Sequence, residues 1–270
     1  MTLDREITED CVAIAFYGIC DDPASVMQFY HDLICWYNSV GCTPDKMAVV
    51  GSGFSGKIIG FEKSHLHLRK KGFATIKSVE AFAMLPNGEL PTVHWWATAS
   101  LSLDYMPHFV LQARRSITTL EDDALGRLIE SCVTNLNPNY GIGYPRDHNK
   151  GPGFYAIGLN YGNDATRGHA YEEKLTISRW GNIGMKEEVY KLGFLRGVYP
   201  HNYLSEPQLS RRVGYKTLHE WISSDSSRGS LTKLNNRMIL WKVAFSHIEP
   251  IRESLWSAGV IFDWKKHLGE

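Results

Sequence analysis

The chain has 270 residues, enough for one large domain or two small ones with a substantial hydrophobic core. Its 29 basic side chains balance 29 acidic ones, so overall charge supplies no field that would recruit nucleic acid or an anionic membrane. No apolar stretch approaches the roughly 20 residues that span a bilayer, so we predict no membrane association. The acidic, polar N-terminus is not typical of a signal peptide.

The cysteine and aromatic content indicates the cellular compartment and the kind of surface that the protein presents. Five cysteines without a CxxC pair favour a reducing compartment over a disulfide framework, so we expect a cytoplasmic protein. Eight tryptophans and 13 tyrosines are many for this length. Such side chains bury large areas and are common at recognition surfaces.

The first half of the chain predicts strands and helices in an α+β order. Residues 12–17 read as a strand, and Asp22 caps a helix with Pro23 in its first turn. A glycine-rich loop and a polar helix follow. Strands at 75–85 and 92–103 are joined by a Pro-Asn-Gly turn and predict a hairpin.

The second half begins with two glycine- and tyrosine-rich segments, 140–144 and 154–161, which we interpret as strands. After about residue 185 the pattern changes to short helices with capping boxes around a hairpin that turns at 235–236. These features predict an α+β fold with a mostly antiparallel sheet and helices packed on one face. We place one domain at 1–184, and a small helix-hairpin-helix subdomain at 185–270.

A glycine-rich loop offers the clearest motif in the chain. Gly51, Gly53 and Gly56 have GxGxxG spacing after a candidate strand, and Glu80 lies in the next strand. A dinucleotide-binding turn uses such glycines for close approach to a pyrophosphate and an acidic residue for the ribose. With Lys57, the same glycines match most of a GxxxxGK phosphate loop. A nucleotide- or dinucleotide-binding enzyme is therefore one hypothesis.

Several details argue against that hypothesis. Position eight of the phosphate loop is Ile58, although Mg²⁺ binding needs a hydroxyl there. The second strand continues past Glu80 to Leu85, and residues 75–79 alternate as in a half-exposed antiparallel strand. We interpret the segment as a loop between elements and predict no cofactor.

No other local signature predicts chemistry. His65 and His67 lack a third metal ligand, the HEWIS sequence at His219 lacks the second histidine of a zinc protease, and no serine has GxSxG surroundings. We therefore predict no catalytic residue and no metal. The C-terminal helix–hairpin order also suggests a nucleic-acid-binding regulator, but the segment LHEWISSDSSR is not basic, which argues against nucleic acid as a partner.

The aromatic clusters are the remaining candidates for function. Trp95 and Trp96 are consecutive in a predicted strand, where neighbouring side chains point to opposite faces. Tyr144, Arg146 and Tyr161 lie in or beside the glycine-rich segments. Aromatic and arginine side chains dominate protein interfaces, so we predict these five as partner-binding anchors.

Two longer stretches resemble a known class of bacterial proteins. They are LGFLRGVYPHNYLSEPQLSRRVGYKTLHEWI near the C-terminus and FEKSHLHLRKKGFATIKSVEAF in the middle of the chain. Both resemble immunity proteins encoded beside polymorphic or contact-dependent toxins. The resemblance implies a protein that binds one cognate toxin domain and occludes its active site, and it transfers no individual site residue. The prediction from the sequence is thus a non-catalytic antitoxin.

Overall fold

The computed structural model of the chain describes residues 10–89, 91, 94–104, 106–159, 178–184 and 188–268. The chain forms two compact units. The first comprises Met1–Pro138 with Pro145–His148, and the second comprises Asn139–Tyr144 with Asn149–Glu270. The predicted domain division after residue 184 stays a prediction, and all of 185–270 belongs to the second unit.

Both units contain strands and helices. The strands are β1 (Asp10–Tyr17), β2 (Lys46–Gly51), β3 (Ile59–Gly60), β4 (Ile76–Met84), β5 (Trp95–Ser102), β6 (His108–Arg114), β7 (Tyr140–Asp147), β8 (His201–Leu204), β9 (Arg212–Val213), β10 (Lys216–Thr217), β11 (Ser230–Lys233) and β12 (Ile239–Lys242). The α-helices are α1 (Pro23–Ser39), α2 (Phe61–Lys71), α3 (Asp123–Ser131), α4 (Pro152–Ala156), α5 (Glu206–Leu209), α6 (Leu218–Ser223), α7 (Ile248–Ser257) and α8 (Trp264–Leu268).

The first unit contains an antiparallel sheet in the order β1-β6-β5-β4-β2-β3. One face of this sheet is apolar and fully buried, because alternate residues such as Ile14, Leu111 and Val79 point the same way. Helix α1 packs there: the ring of Phe29 meets that of Phe109 edge-on, with centroids 4.8 Å apart. The α+β class predicted from the sequence is confirmed.

Helix α1 forms where the sequence predicts it. The Asp22 carboxylate accepts a hydrogen bond from the Ser25 backbone N–H at 2.9 Å, and Pro23 occupies the first turn. That hydrogen bond lowers the pKa of Asp22. The Tyr37 hydroxyl donates to the Ala81 carbonyl at 3.1 Å, which fixes the helix against β4.

The second unit has its own antiparallel strands, in the order β7-β8-β12-β11, and a separate two-stranded β9-β10 hairpin. The capping box Ser205–Gln208 begins α5, and Thr217–Glu220 begins α6. At the centre of this unit, the buried Trp241 donates its indole N–H to the Arg228 carbonyl at 2.7 Å.

One predicted strand is wrong. The strand predicted at 154–161 begins instead inside the short helix α4, Pro152–Ala156. Gly151 adopts a left-handed conformation (φ +53°) and Pro152 follows it at the first helical position, where proline is well tolerated. Among the described residues, no helix is both long and apolar enough to cross a membrane.

Candidate protein-interaction surface

Two of the predicted anchors lie in the interior. Trp95 is 2% exposed, and its ring centroid lies 4.6 Å from that of His148. Tyr144 is also buried, and its hydroxyl donates to the Pro152 carbonyl at 2.7 Å. In this conformation neither ring offers surface for a partner to contact.

The other anchors differ in position. Trp96 is half-buried, and the Arg114 guanidinium lies 5.6 Å from its ring centroid. The pairing of β4 with β5 shifts register between Ala83 and Met84, close to the two tryptophans. Arg146 is half-buried, and Tyr161 lies outside the described residues. The anchor set stays a prediction in which Trp96 and Arg146 retain accessible surface.

The glycine-rich loop connects two antiparallel strands. Gly53 and Gly56 have φ of +82° and +69°, as glycines in a tight loop do, and the chain then pairs back on β2 through Ile59. Glu80 lies in mid-strand, opposite Ala48 and Ser100. A dinucleotide site needs a parallel βαβ unit with the loop leading directly into a helix. Residues 46–84 do not form that unit.

Glu80 and His65, the residues considered above for ribose and metal binding, are both half-buried in the structure. Burial raises the pKa of the half-buried Glu80 carboxyl. The His65 ring stacks on Phe61 with centroids 5.2 Å apart, and its Nδ1 lies 2.8 Å from the Tyr30 hydroxyl. Among the described residues, no group of three or more His, Cys, Asp or Glu side chains could hold a metal ion.

Large exposed aromatic rings occur in the second unit instead. Tyr215 is 87% exposed, Phe245 is 66% exposed and Trp256 is 47% exposed. Most other aromatic side chains of the described residues are buried or half-buried. Exposed aromatic rings beside polar groups are the side chains that most often dominate protein–protein binding energy.

The most exposed of these rings lies at the tip of a rigid hairpin. Strands β9 and β10 pair antiparallel, and the two-residue turn between them consists of Gly214, at φ +64°, and Tyr215. Arg212 Nη1 donates to the Tyr215 carbonyl at 2.9 Å, which closes the tip. At the base, the Leu218 N–H donates to the Arg211 carbonyl at 2.7 Å. The backbone that presents Tyr215 is therefore held at both ends.

The helix after the hairpin is anchored in the core. The Thr217 hydroxyl accepts from the Glu220 N–H, and the Glu220 carboxylate accepts from the Thr217 N–H at 2.7 Å, a complete capping box. Leu218 and Ile222 are buried. Because this helix is fixed by its buried side, the half-exposed Trp221 has a defined position.

Arg228 stacks on Trp221 and is held there by hydrogen bonds. The Arg228 guanidinium lies 4.1 Å from the Trp221 ring centroid, a cation–π distance. Arg228 Nη1 donates to the Trp221 carbonyl at 2.6 Å and to Ser224 Oγ at 3.0 Å, and its Nε lies 3.7 Å from the Asp225 carboxylate. Hydrogen bonds from Ser227 lower the pKa of Asp225, so this carboxylate stays charged.

We call this region the hairpin surface and define it by the five exposed or half-exposed residues Arg212, Tyr215, Lys216, Trp221 and Arg228. It combines aromatic rings with cations that internal contacts already hold in place. Such an arrangement can bind a complementary surface with little loss of side-chain entropy. Exposed tyrosine, tryptophan and arginine side chains of this kind are the ones most enriched at protein-binding hot spots.

The sequence contains a signal for this surface. Gly214-Tyr215 lies between short polar segments, a pattern typical of a two-residue turn, and a tyrosine in such a turn has no core to enter. Tyr215 was not among the predicted anchors, which came from the Trp95-Trp96 pair and the glycine-rich segments.

Comparisons with known proteins show the fold. No protein-family model matches the sequence, and no curated protein matches it either. Among solved structures, the chain is similar to a protein titled "Pseudomonas aeruginosa T6SS protein PA0821", with a TM-score of 0.59 and 10% sequence identity. The similarity covers 94% of this chain and 73% of that protein. At this identity, the match establishes a shared architecture.

Proposed function

We propose that this chain is an immunity protein that binds a cognate toxin domain and occludes its active site. The exposed Tyr215 at the rigid hairpin tip is the observation that carries the proposal. Tyrosine is one of the three residue types most enriched at binding hot spots, and the ring of Tyr215 is accessible to a partner.

The structural neighbour supports the setting. That neighbour is described as a T6SS protein, and it shares the architecture of nearly the whole of this chain. The resemblance of the C-terminal stretch to immunity proteins covers the hairpin itself, since RRVGYKTLHEWI includes β9, β10 and α6. We infer that the partner is a protein toxin, bound stoichiometrically.

Occlusion requires an interface larger than the hairpin alone. A stable specific interface buries on the order of 1,600 Å², while one ring contributes at most about 250 Å². We expect Tyr215 and Trp221 to act as the central anchors, surrounded by polar contacts that exclude water. Arg212 and Arg228 would pair with carboxylates or carbonyl groups of the toxin at the rim.

The test is inhibition of the purified toxin domain encoded beside this chain. We expect its enzymatic activity to fall to zero at one chain per toxin, with competition between the chain and the toxin's substrate. Full toxin activity at a several-fold excess of chain would refute the proposal. Binding without loss of activity would refute occlusion while leaving recognition intact.

Thermal stabilisation separates this function from the nucleotide alternative. A ligand at about 100 times its Kd stabilises a protein by about 2.7 kcal/mol, which gives a visible shift in Tm. We expect flat melting curves with ATP, GTP, NAD, NADP and FAD at millimolar concentration. A clear shift with any of them, abolished by Gly53→Ala, would restore the enzyme hypothesis.

A further inference from the structure

The first unit has an unusual local concentration of charge on α2 and the loop before it. Five exposed cations lie there: Lys57, Lys63, Arg69, Lys70 and Lys71. Between residues 52 and 73 the one acidic residue is Glu62. None of the five cations forms an ion pair with another described residue. Because the whole chain is neutral, this positive surface is a local feature.

The cations surround an exposed apolar centre. Phe61, Ser64 and Leu68 are the buried side of α2, so Lys63, Leu66 and Lys70, at i, i+3 and i+7, lie along its outward side. Leu66 is 61% exposed. Leu66 is therefore an exposed apolar side chain with lysines on both sides of it along the helix.

The loop extends this surface on one flank of the helix. The Phe54 ring lies 4.7 Å from that of His67, centroid to centroid. A Cβ placed on Gly53 would lie 3.6 Å from Lys71 Nζ, so the loop backbone runs beside that ammonium group. The loop and the helix therefore form one continuous surface, which we call the α2 surface and define by Phe54, Lys63, Leu66, Lys70 and Lys71.

The helix C-terminus explains part of the charge. Arg69, Lys70 and Lys71 occupy the last turn, where cations interact favourably with the helix dipole by about 0.3–1 kcal/mol each. That effect does not reach Lys63 in the first turn or Lys57 in the loop. It does not explain an exposed leucine between lysines either.

We propose that the α2 surface binds an acidic segment of a protein partner, with carboxylates on the lysines and an apolar side chain on Leu66. Charge complementarity sets the sign of the partner. The central leucine favours a protein segment over a nucleic acid, because a phosphate backbone offers no apolar group for it. This inference does not depend on the hairpin surface or on the identity of the toxin.

Fluorescence anisotropy with three labelled probes tests the proposal. The first is a glutamate-rich peptide about three helical turns long with leucines at i, i+4 spacing. The second replaces those leucines with alanine, and the third is duplex DNA of similar length. We expect the leucine peptide to bind at least about tenfold more tightly than the alanine peptide and more tightly than DNA.

Two variants locate the binding. Lys63→Glu with Lys70→Glu should abolish peptide binding, and Leu66→Gln should remove the difference between the two peptides. The matched control is Lys233→Glu with Arg237→Glu, which makes the same charge change at exposed positions of the second unit and should leave binding unchanged. Melting temperatures confirm that each variant is folded.

Three results would overturn the proposal. Tighter binding of DNA than of the leucine peptide would make the surface a nucleic-acid site. Equal binding of both peptides would show attraction of any polyanion, without recognition. Unchanged peptide binding by the double α2 variant would place the peptide elsewhere.

Discussion

The hairpin surface and the α2 surface differ in how firmly their charged side chains are held. On the hairpin surface, Arg228 is held by three polar groups of its own unit and stacked on Trp221 before any partner arrives. On the α2 surface, Lys63 and Lys70 have no ion-pair partner among the described residues. One surface is preorganised, whereas the other carries mobile point charges on long side chains.

The difference has a kinetic consequence. Preorganised aromatic and arginine groups lose little entropy on binding, so they slow dissociation. Unpaired surface charges attract a partner over a Debye length of about 10 Å at 0.1 M salt and mainly accelerate association. We therefore expect toxin binding at the hairpin surface to dissociate slowly, and acidic-peptide binding at the α2 surface to depend more strongly on salt concentration.

The largest predicted effect is a difference in the free energy of unfolding between alanine variants of two leucines, one at each surface. Leu218 is fully buried beneath the hairpin, whereas Leu66 is exposed. Leu218→Ala should lower the free energy of unfolding by about 2–5 kcal/mol, because it leaves a cavity. Leu66→Ala should change it by no more than about 0.5 kcal/mol. Urea denaturation of both variants measures this, and equal losses would contradict the assignment of Leu66 as a free surface residue.

A second prediction compares an arginine-to-lysine substitution on the hairpin surface with a lysine-to-arginine substitution on the α2 surface. Arg228→Lys cannot keep both the stacking on Trp221 and the hydrogen bonds to its carbonyl and Ser224, so affinity for the toxin should fall by about 1 kcal/mol, roughly fivefold. The matched exchange, Lys70→Arg, should leave peptide binding within about twofold, because a point charge is enough there. Titration calorimetry of both pairs is the measurement, and comparable losses would remove the distinction between the two surfaces.

A third prediction concerns Glu80 in β4, which belongs to neither surface. Burial raises the pKa of its carboxyl in the folded protein, so folding favours the protonated form and the charged form costs stability at neutral pH. Glu80→Gln should therefore raise Tm at pH 7, and the gain should disappear below the unfolded pKa, near 4.5. Calorimetry at pH 7 and pH 4 checks this, and a lower Tm at pH 7 would show that Glu80 has a partner.

The smallest predicted effect is a pH difference between the two surfaces. Burial depresses the pKa of His65, a residue of α2, below its ordinary 6.5, so the stability that its neutral form contributes is complete above pH 6.5 and is lost as the pH falls below that value. Hydrogen bonds from Thr217 depress the pKa of Glu220 below its ordinary 4.5, so the capping box of α6 is lost only below that pH.

Hydrogen exchange between pH 7 and pH 5 measures this difference. We expect α2 to lose protection while α6 keeps it, and His65→Gln to flatten the response of α2. Simultaneous loss of protection in both helices would contradict separate control of the two surfaces.

Local patterns in the sequence predicted those parts of the fold that depend on neighbouring residues. The Asp22 cap, the Thr217–Glu220 capping box and the antiparallel alternation of β4 follow from chemistry within a few positions. They also led to the correct α+β class. The helix at 152–156 was missed because its glycine and tyrosine content is equally typical of a strand.

The surfaces were harder to predict, because exposure is set by tertiary packing. Trp95 and Tyr215 are both aromatic residues, yet the first is enclosed and the second is almost fully exposed. The residues around Trp95 and Trp96 carry no local signature that says which of the two is enclosed. The turn around Tyr215 did have one, in Gly214.

The central claim is that Tyr215 anchors a toxin on the hairpin surface, and its most direct test is the affinity of the toxin domain for Tyr215→Ala beside wild type. Truncation of a true anchor costs about 2 kcal/mol or more, so we predict a loss of at least about 30-fold, mostly in the dissociation rate, with Tm unchanged. Tyr215→Phe, which keeps the ring, should retain most of the affinity. An affinity for Tyr215→Ala within about twofold of wild type would contradict the account.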